Sequence, residues 1–325
     1  MGICISTASL EIHAVDFGNE NVVHYQDNNN GYQQVGSVFS QQGSKGLNQD
    51  SAILYQGYGV ENGAFGGVFD GHGENGHIVS KLVMNKLPSL LLKQIASLPR
   101  ITSLGKNFNK WKEAFLSSFK LMDKDIRSIE KLDCSCSGTT AVVAIRQEDD
   151  LIIANLGDSR AVLGRKSEEG VIEAVQLTTD LKPSLPSEAE RIRNCDGRVL
   201  ALQEEPHIKR VWLPHVDVPG LAMSRAFGDF MLKNYGIISK PDVSYHHISP
   251  HDQFLVLATD GVWDVLSNDQ VVSIVCAANN AAAASEAVVQ ASLDAWKQKF
   301  PNSKRDDCTA ICLFLHQQAP LQNST

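Results

Sequence analysis

Aspartates adjoin glycines just past the ends of three apolar segments of this sequence. The three pairs are Asp70-Gly71, Gly157-Asp158 and Asp260-Gly261. A carboxylate at the end of a strand is carried by a rigid element yet faces a cleft, and the glycine allows a sharp turn and a close approach of the backbone to a ligand. Any one Asp-Gly pair is most often an ordinary turn. Three of them at strand ends indicate a shared site.

Two more aspartates lie beside other predicted strands and enlarge this acidic set. They are Asp50, in Asn48-Gln49-Asp50, and Asp306, in Arg305-Asp306-Asp307. Buried like charges repel, so aspartates that share one site need compensating cations. Hard cations such as Mg²⁺ and Mn²⁺ prefer oxygen ligands, and an oxygen-rich site accepts both. Two ions held about 3.5–4 Å apart would acidify a water for in-line attack on phosphorus.

The cysteines do not fit a catalytic nucleophile or a zinc site. A cysteine-dependent phosphatase needs an arginine six residues after its nucleophile, and none of the cysteines from Cys134 to Cys312 has one. Cys134 and Cys136 lack a second Cys/His pair at zinc-site spacing. Seven cysteines without disulfide spacing indicate a reducing compartment. The P-loop of nucleotide-binding proteins is absent from the sequence, as are the Gly-Asp-x-His and Gly-Asn-His-Glu motifs of one class of metallophosphatases.

The composition is that of a soluble globular enzyme. The chain has 325 residues, of which 43% are hydrophobic and 20% charged, and this suffices for one large domain or two small ones. A net charge of -8 argues against a nucleic-acid partner, which would require a basic face. No apolar run is long enough to span a membrane, and the N-terminus lacks the pattern of a secretory signal.

The apolar periodicity predicts an α+β framework of paired strands and paired helices that would position the acidic set. Strands are predicted at 51–55, 65–69, 139–145, 151–155, 160–164, 254–258 and 308–315. Helices are predicted at 76–98, 107–132, 188–194, 268–278 and 284–300. Pro88 is expected to kink or break the first helix. The stretch that follows residue 194, up to 220, is expected to be irregular.

Five segments, in this order, resemble the motifs of the type 2C metal-dependent protein phosphatases. They are Val68-Phe69-Asp70-Gly71-His72-Gly73, Ser137-Gly138-Thr139-Thr140-Ala141, Ala154-Asn155-Leu156-Gly157-Asp158-Ser159-Arg160-Ala161, Leu221-Ala222-Met223-Ser224-Arg225-Ala226-Phe227-Gly228-Asp229 and Ala258-Thr259-Asp260-Gly261-Val262-Trp263-Asp264. The resemblance covers about residues 36–315, and Lys45-Gly46-Leu47-Asn48-Gln49-Asp50 and Asp306-Asp307-Cys308-Thr309 are most similar to plant members.

This resemblance implies the fold, the domain limits and the reaction. The fold would be an α+β, four-layer α-β-β-α sandwich, in which two antiparallel sheets are flanked by helix pairs and a binuclear metal site lies at one end. Residues 1–34 would be an N-terminal tail, 35–316 the catalytic domain with a variable flap at 185–220, and 317–325 a C-terminal tail. The enzyme would hydrolyse protein phosphoserine and phosphothreonine by direct attack of a metal-bridging water, without a phosphoenzyme.

The resemblance assigns the acidic set to Mg²⁺ or Mn²⁺, with two ions per subunit and a weaker third. Asp70 would bridge both ions, and the Gly71 carbonyl would bind one of them. Asp260 and Asp306 would ligate the other ion. Asp158, together with Asp260, would hold the third.

Further residues receive roles around the metals. Asp50 would act through metal-bound waters, and Lys45 would grip the phosphate. His72 lies where a general acid for the leaving alkoxide has been proposed in the family, and the pKa of an imidazole suits that task. Arg225 and Asp229 are expected to stabilise the core next to the site.

The sequence departs from the family pattern at four positions. Lys45 replaces an arginine and so loses the bidentate fork, although lysine remains a competent phosphate ligand. Gln49 replaces a glutamate, Asp307 an asparagine, and Leu181 a histidine. The alternative function is therefore a catalytically weak or silent relative that binds phosphoproteins as a scaffold. The presence of Asp70, Asp260 and Asp306 favours the active enzyme.

The first residues carry an acylation pattern. Gly2 and Ser6 fit the pattern for N-myristoylation after removal of Met1, and Cys4 could carry a palmitoyl chain. Two chains hold a protein stably to a membrane. We expect a cytoplasmic protein, at the inner face of the plasma membrane when Gly2 and Cys4 are acylated, with the nucleus as an open alternative. The expected partners are phosphoproteins and a kinase or regulatory protein, and the chain is expected to be a monomer.

Overall fold

Two β-sheets pack face to face, and a pair of helices covers each outer face. The computed structural model describes residues 21–25, 35–60, 63–96 and 108–316. In chain order, the strands are β1 (Val22–Tyr25), β2 (Gly36–Gln41), β3 (Ser51–Gln56), β4 (Ala64–Phe69), β5 (Gly71–His72), β6 (Gly138–Thr139), β7 (Ala141–Gln147), β8 (Asp150–Leu156), β9 (Arg160–Lys166), β10 (Ile172–Gln176), β11 (Arg198–Ala201), β12 (Lys209–Trp212), β13 (Pro219–Leu221), β14 (Phe227–Gly228), β15 (Asp242–His247), β16 (Asp252–Ala258) and β17 (Cys308–Phe314). The α-helices are α1 (Gly76–Ala96), α2 (Phe108–Arg127), α3 (Pro186–Asn194), α4 (Asp260–Trp263), α5 (Asn268–Ala277) and α6 (Ala284–Lys299).

The sheets have the orders β1-β3-β4-β7-β8-β15 and β10-β9-β16-β17-β2. All their strand pairs are antiparallel except β1 with β3, which are parallel. This parallel pair lies at the edge of the first sheet, and the other pairs follow the expected antiparallel pattern. It also shows that Val22–Tyr25, placed in the predicted tail 1–34, belongs to the folded domain. Gly2 and Cys4 lie outside the described residues.

Three apolar layers hold the four layers of secondary structure together. Between the sheets, Leu54 and Val68 pack with Leu257 and Ile311 in one buried cluster. Alternate residues of β4 point the other way, so that Phe65 belongs to the cluster under α1 and α2, as the two-residue period of a strand requires. A third cluster joins the second sheet to α5 and α6. The predicted four-layer α-β-β-α sandwich is therefore confirmed.

Helix α1 runs through Pro88 without ending there, so the predicted break is wrong. A proline inside a helix removes one backbone hydrogen bond and costs about 3 kcal/mol. The cost is offset because Leu87, Pro88 and Leu91 are all buried in this helix. The Tyr58 hydroxyl also donates a hydrogen bond to the Pro88 carbonyl at 2.6 Å. Helix α2 ends at Arg127, five residues before the predicted end at 132.

Two small sheets complete the domain. Strands β5, β6 and β14 form a three-stranded antiparallel sheet beside the acidic set. Strands β11, β12 and β13 form another within the predicted flap, so that the stretch expected to be irregular is partly a sheet. Within the described part of the chain, no helix is long and apolar enough to cross a membrane.

Candidate active site

The ends of strands from both large sheets bring the predicted aspartates together. Asp70 follows β4, and Asp158 lies between β8 and β9. From the second sheet, Asp260 begins α4 directly after β16, and Asp306 lies just before β17. Asp50 precedes β3. The site thus lies across one end of the sandwich, where strands of the two sheets meet.

The electrostatics of these carboxyls show that they share one site. Burial raises the pKa of Asp70 well above its usual value, and Asp260, Asp50, Asp306 and Asp158 raise it further through their negative charges. Burial, followed by repulsion from Asp158 and Asp306, likewise raises the pKa of Asp260. A group of carboxylates that resist ionisation together is stabilised by a bound cation.

Asp50 is the most enclosed of the set, with 1% of its surface exposed. Burial raises its pKa to about 8, although hydrogen bonds from Thr309 and Thr259 act in the opposite direction. The Thr259 hydroxyl donates to Asp50 Oδ2 at 2.9 Å. Thr259 directly precedes Asp260, at the end of a strand of the second sheet. One short segment therefore carries Asp260 and also holds Asp50, which lies at the start of a strand of the first sheet. The sequence motif contains Thr259, but its contact with Asp50 could be found only from the structure.

The backbone at Asp70 and Gly71 is held on both sides. The Thr140 amide donates to the Asp70 carbonyl at 2.9 Å, and the Asp70 amide donates to the Thr140 hydroxyl at 3.1 Å. A Cβ at Gly71 would lie 2.5 Å from the carbonyl oxygens of both Gln49 and Gly76. Only glycine therefore fits at this position, where the resemblance assigns a metal-binding carbonyl.

Lys45 and the loop that carries it are tied to the segment of Asp306. The Lys45 ammonium forms an ion pair with Asp306 Oδ2. Asp307 accepts the amide of Gly43 on Oδ1 and the amide of Gln49 on Oδ2, both at 2.8 Å. The two neighbouring aspartates thus hold the loop by its backbone and by its lysine. Asp307, where the family pattern has an asparagine, therefore has a structural role in this loop.

The Gln49 side chain points toward the start of α1. Its Nε2 donates to the Gly73 carbonyl at 3.0 Å. Its Oε1 is buried and has no hydrogen-bond partner among the described residues. The hydrogen bond to Gly73 ties the segment that carries Asp50 to the turn before α1.

His72 is paired with Asp229 through the small sheet of β5, β6 and β14. His72 Nε2 lies 2.7 Å from Asp229 Oδ2. A Cβ at Gly138 in β6 would lie 2.5 Å from that carboxylate oxygen and 2.9 Å from His72 Nε2, so glycine permits the contact. Burial alone would lower the pKa of His72, but the Asp229 carboxylate outweighs it and the net shift is upward.

Asp229 therefore acts on a predicted site residue, whereas Arg225 has the structural role that was expected. Arg225 donates to both oxygens of Glu188, at 2.9 and 2.6 Å. Arg191 donates to the same two oxygens at 2.8 Å. The two guanidinium groups hold the pKa of Glu188 down at about 2, against the effect of burial. This network fixes α3 beside the site.

Lys182 and Asp264 belong to the site but were not singled out from the sequence. Lys182 Nζ lies 3.7 Å from Asp158 Oδ2 and 3.8 Å from Asp264 Oδ1. Burial alone would lower the pKa of Lys182, but Asp158 and Asp264 outweigh it and the net shift is upward. Their signal in the sequence is the segment Asp180-Leu181-Lys182-Pro183, in which Leu181 departs from the family pattern, and the end of the motif at residues 258–264.

The donors fit hard cations. Among residues 21–25, 35–60, 63–96 and 108–316, no group of three or more His, Cys, Asp or Glu side chains has the geometry to hold a metal ion as it stands. In this arrangement the Lys45 ammonium binds Asp306, and the Asp70 and Asp260 carboxyls share a hydrogen bond. The cluster is nevertheless rich in oxygen donors, and Asp158 Oδ1 is buried without a hydrogen-bond partner in the described part of the chain. Mutually repelling, buried carboxylates suit Mg²⁺ or Mn²⁺.

Comparison with solved structures identifies the fold. A serine-threonine phosphatase 2C from Toxoplasma gondii superposes with a TM-score of 0.76 at 27% identity, over 85% of this chain and 93% of its own. A sex-determining protein of C. elegans superposes with a TM-score of 0.70 at 23% identity, over 88% of this chain and 66% of its own.

Comparison of the sequence leads to the same family. The family model described as protein phosphatase 2C matches residues 36–299. "Probable protein phosphatase 2C 72" of Arabidopsis thaliana is 52% identical over 98% of this chain and 99% of its own length. "Probable protein phosphatase 2C 12" of Oryza sativa subsp. japonica is 46% identical over 97% and 92%, respectively. Together with the acidic cluster at the strand ends, these matches show that the chain is a plant-type member of the protein phosphatase 2C family.

Proposed function

We propose that this chain is an active, metal-dependent protein serine/threonine phosphatase that cleaves phosphoserine and phosphothreonine in one hydrolytic step. Membership of the family supports a protein phosphatase. The observation that carries the finer proposal is the convergence of Asp70, Asp260 and Asp306, with raised pKa values on the first two, at the end of the sandwich that also holds Lys45. A silent scaffold has no need of such a mutually repelling set.

The cation-binding residues would be the predicted ones. Asp70, the Gly71 carbonyl, Asp260 and Asp306 would hold two ions, Asp50 would contribute through water, and Asp158 would hold a weaker third. Bound Mg²⁺ or Mn²⁺ would neutralise the phosphate and activate the attacking water.

The protein side chains would supply orientation, charge and a proton. The Lys45 side chain is 52% exposed, so its ammonium can turn from Asp306 to a phosphate oxygen. His72, held at Nε2 by Asp229, would give its proton to the departing serine or threonine oxygen. Thr259 and Thr140 keep Asp50 and Asp70 in place without reacting.

The test is hydrolysis of a phosphothreonine peptide by the purified chain after EDTA treatment, and then with Mn²⁺ or Mg²⁺ restored. We expect activity to vanish with EDTA and to return with either metal. No activity with either metal, in a protein that remains folded, would reject the enzyme and favour the scaffold. Acylation at Gly2 and Cys4, the membrane location, the kinase or regulatory partner and the monomeric state remain predictions from the sequence.

A further inference from the structure

Lys182 provides the acidic cluster with a positive charge of its own. Its ammonium lies between Asp158 and Asp264, 3.7 and 3.8 Å from one oxygen of each. Asp158 is 2% exposed, whereas the Asp264 side chain is 46% exposed. The lysine therefore reaches from the solvent side of the cluster to one of its most buried carboxylates.

The backbone of Lys182 is fixed on its N-terminal side. Arg160 donates to both oxygens of Asp180, at 2.9 and 2.6 Å. The Leu181 amide donates to the Gly157 carbonyl at 2.9 Å, and the amide and hydroxyl of Ser224 donate to the Leu181 carbonyl at 2.8 and 2.6 Å. A lysine on a segment held this firmly loses little further freedom when its ammonium meets the carboxylates.

Asp158 has one oxygen on Lys182 and one without a partner. Oδ2 faces the ammonium. Oδ1 is buried and makes no hydrogen bond with any described residue. A buried carboxylate oxygen without a donor is costly, so a cation beside Oδ1 would be favourable. Because Lys182 is on the other oxygen, its charge would repel that cation.

We propose that Lys182 is a fixed internal cation that weakens divalent-cation binding at Asp158. The ammonium partly neutralises the negative charge that would otherwise attract an ion. When no ion is bound, it also reduces the repulsion between Asp158 and Asp264. Lys182 thereby separates one weak ion position from the tighter positions around Asp70. This inference rests on the proposed function, because it takes the cluster to bind divalent cations.

The experiment is calorimetric titration of Mn²⁺ into the EDTA-stripped full chain, with the number of bound ions counted by electron paramagnetic resonance. Two neutral variants, Lys182→Gln and Lys182→Met, are made so that the test still stands when one of them does not fold. Each is expected to tighten the weakest Mn²⁺ position about tenfold or more, equivalent to about 1.4 kcal/mol. Lys182→Arg keeps the charge and should bind as the wild type does.

Two controls assign the effect to this contact. Lys297→Gln removes a lysine that pairs with Asp294 on the exposed face of α6, and should leave Mn²⁺ binding unchanged. In an Asp158→Asn background, Lys182→Gln should no longer tighten any position. Unchanged or weaker binding in the folded Lys182→Gln and Lys182→Met variants, or equal tightening in the Asp158→Asn background, would overturn the inference and leave the proposed function standing. A wild-type chain that binds no Mn²⁺ would overturn both.

Discussion

The pairing of His72 with Asp229 can be tested by Asp229→Asn, which keeps the shape of the side chain and removes its charge. A hydrogen bond to a charged group contributes about 1.5–3 kcal/mol. The Asp229 side chain is 1% exposed and that of His72 is 18% exposed, so solvent screens the contact little. If this energy holds His72 protonated and in place, its loss should lower kcat about ten- to a hundredfold.

The assay compares two substrates under saturating Mn²⁺. A phosphothreonine peptide releases an alkoxide that needs a proton, whereas p-nitrophenyl phosphate releases a stable phenolate that does not. Asp229→Asn should therefore slow the peptide and leave p-nitrophenyl phosphate nearly unchanged. Because Asp229 holds the pKa of His72 up, the activity that needs protonated His72 is full below that pKa and is lost as the pH rises through it. The basic limb of the peptide profile should move to lower pH in the variant.

A second variant distinguishes positioning of His72 from general damage. In a His72→Gln background, Asp229→Asn should cause almost no further loss, since residues that act as a unit are not additive. Equal losses on both substrates, or a full further loss without His72, would refute the assignment of Asp229 as a positioning residue.

Three further outcomes follow from the acidic cluster and its backbone. Asp70→Asn or Asp260→Asn should lower kcat by several orders of magnitude, and near-normal turnover in either variant would contradict the assignment. Each variant should also raise the thermal midpoint in EDTA, because it removes a buried carboxyl whose ionisation is opposed by burial and by the neighbouring carboxylates. In EDTA, the stability of the wild type should fall as the pH rises from about 4 toward about 8, because burial raises the pKa of Asp50 to about 8 in the folded state only. Unfolding curves measured over this pH range should show the fall, and saturating Mn²⁺ should flatten it. Stability in EDTA that does not change with pH would contradict the prediction. Gly71→Ala should distort the turn, since the added Cβ would lie 2.5 Å from two carbonyl oxygens. Peptide hydrolysis measured against metal concentration should then show weaker metal binding, and wild-type metal affinity would mean that the turn can move to accept the Cβ.

Much of the site could be predicted because its chemistry follows strand ends. Asp70, Asp158 and Asp260 adjoin glycines next to apolar strands, and both signals are local in the sequence. Lys182 has no such signal. It reaches the cluster because Arg160 anchors Asp180 from a strand of the second sheet, a contact between residues twenty positions apart that no periodicity reveals.

The fold was predictable to the same degree and for the same reason. The strand 252–258 and helices α5 and α6 have strong apolar patterns and lie close to their expected limits. Strand β1 was missed because Val22–Tyr25 is short and isolated, and gains its structure only by pairing with β3. Pro88 was misjudged because local propensity says nothing of the buried contacts that compensate for it.

The position of the acidic cluster across the end of both sheets links catalysis to cohesion of the sandwich. Asp70 follows β4 of one sheet, and Asp306 precedes β17 of the other. Without cations, repulsion between these carboxylates would push the two sheets apart at that end, whereas bound cations would hold the sheets together there. Amide hydrogen exchange at the site-facing ends of β4 and β17 should therefore slow together when Mn²⁺ is added. Loss of metal would then loosen the molecule at that end before it unfolds as a whole. The lifetime of the folded protein, and not only its catalytic rate, would therefore depend on the supply of divalent cations.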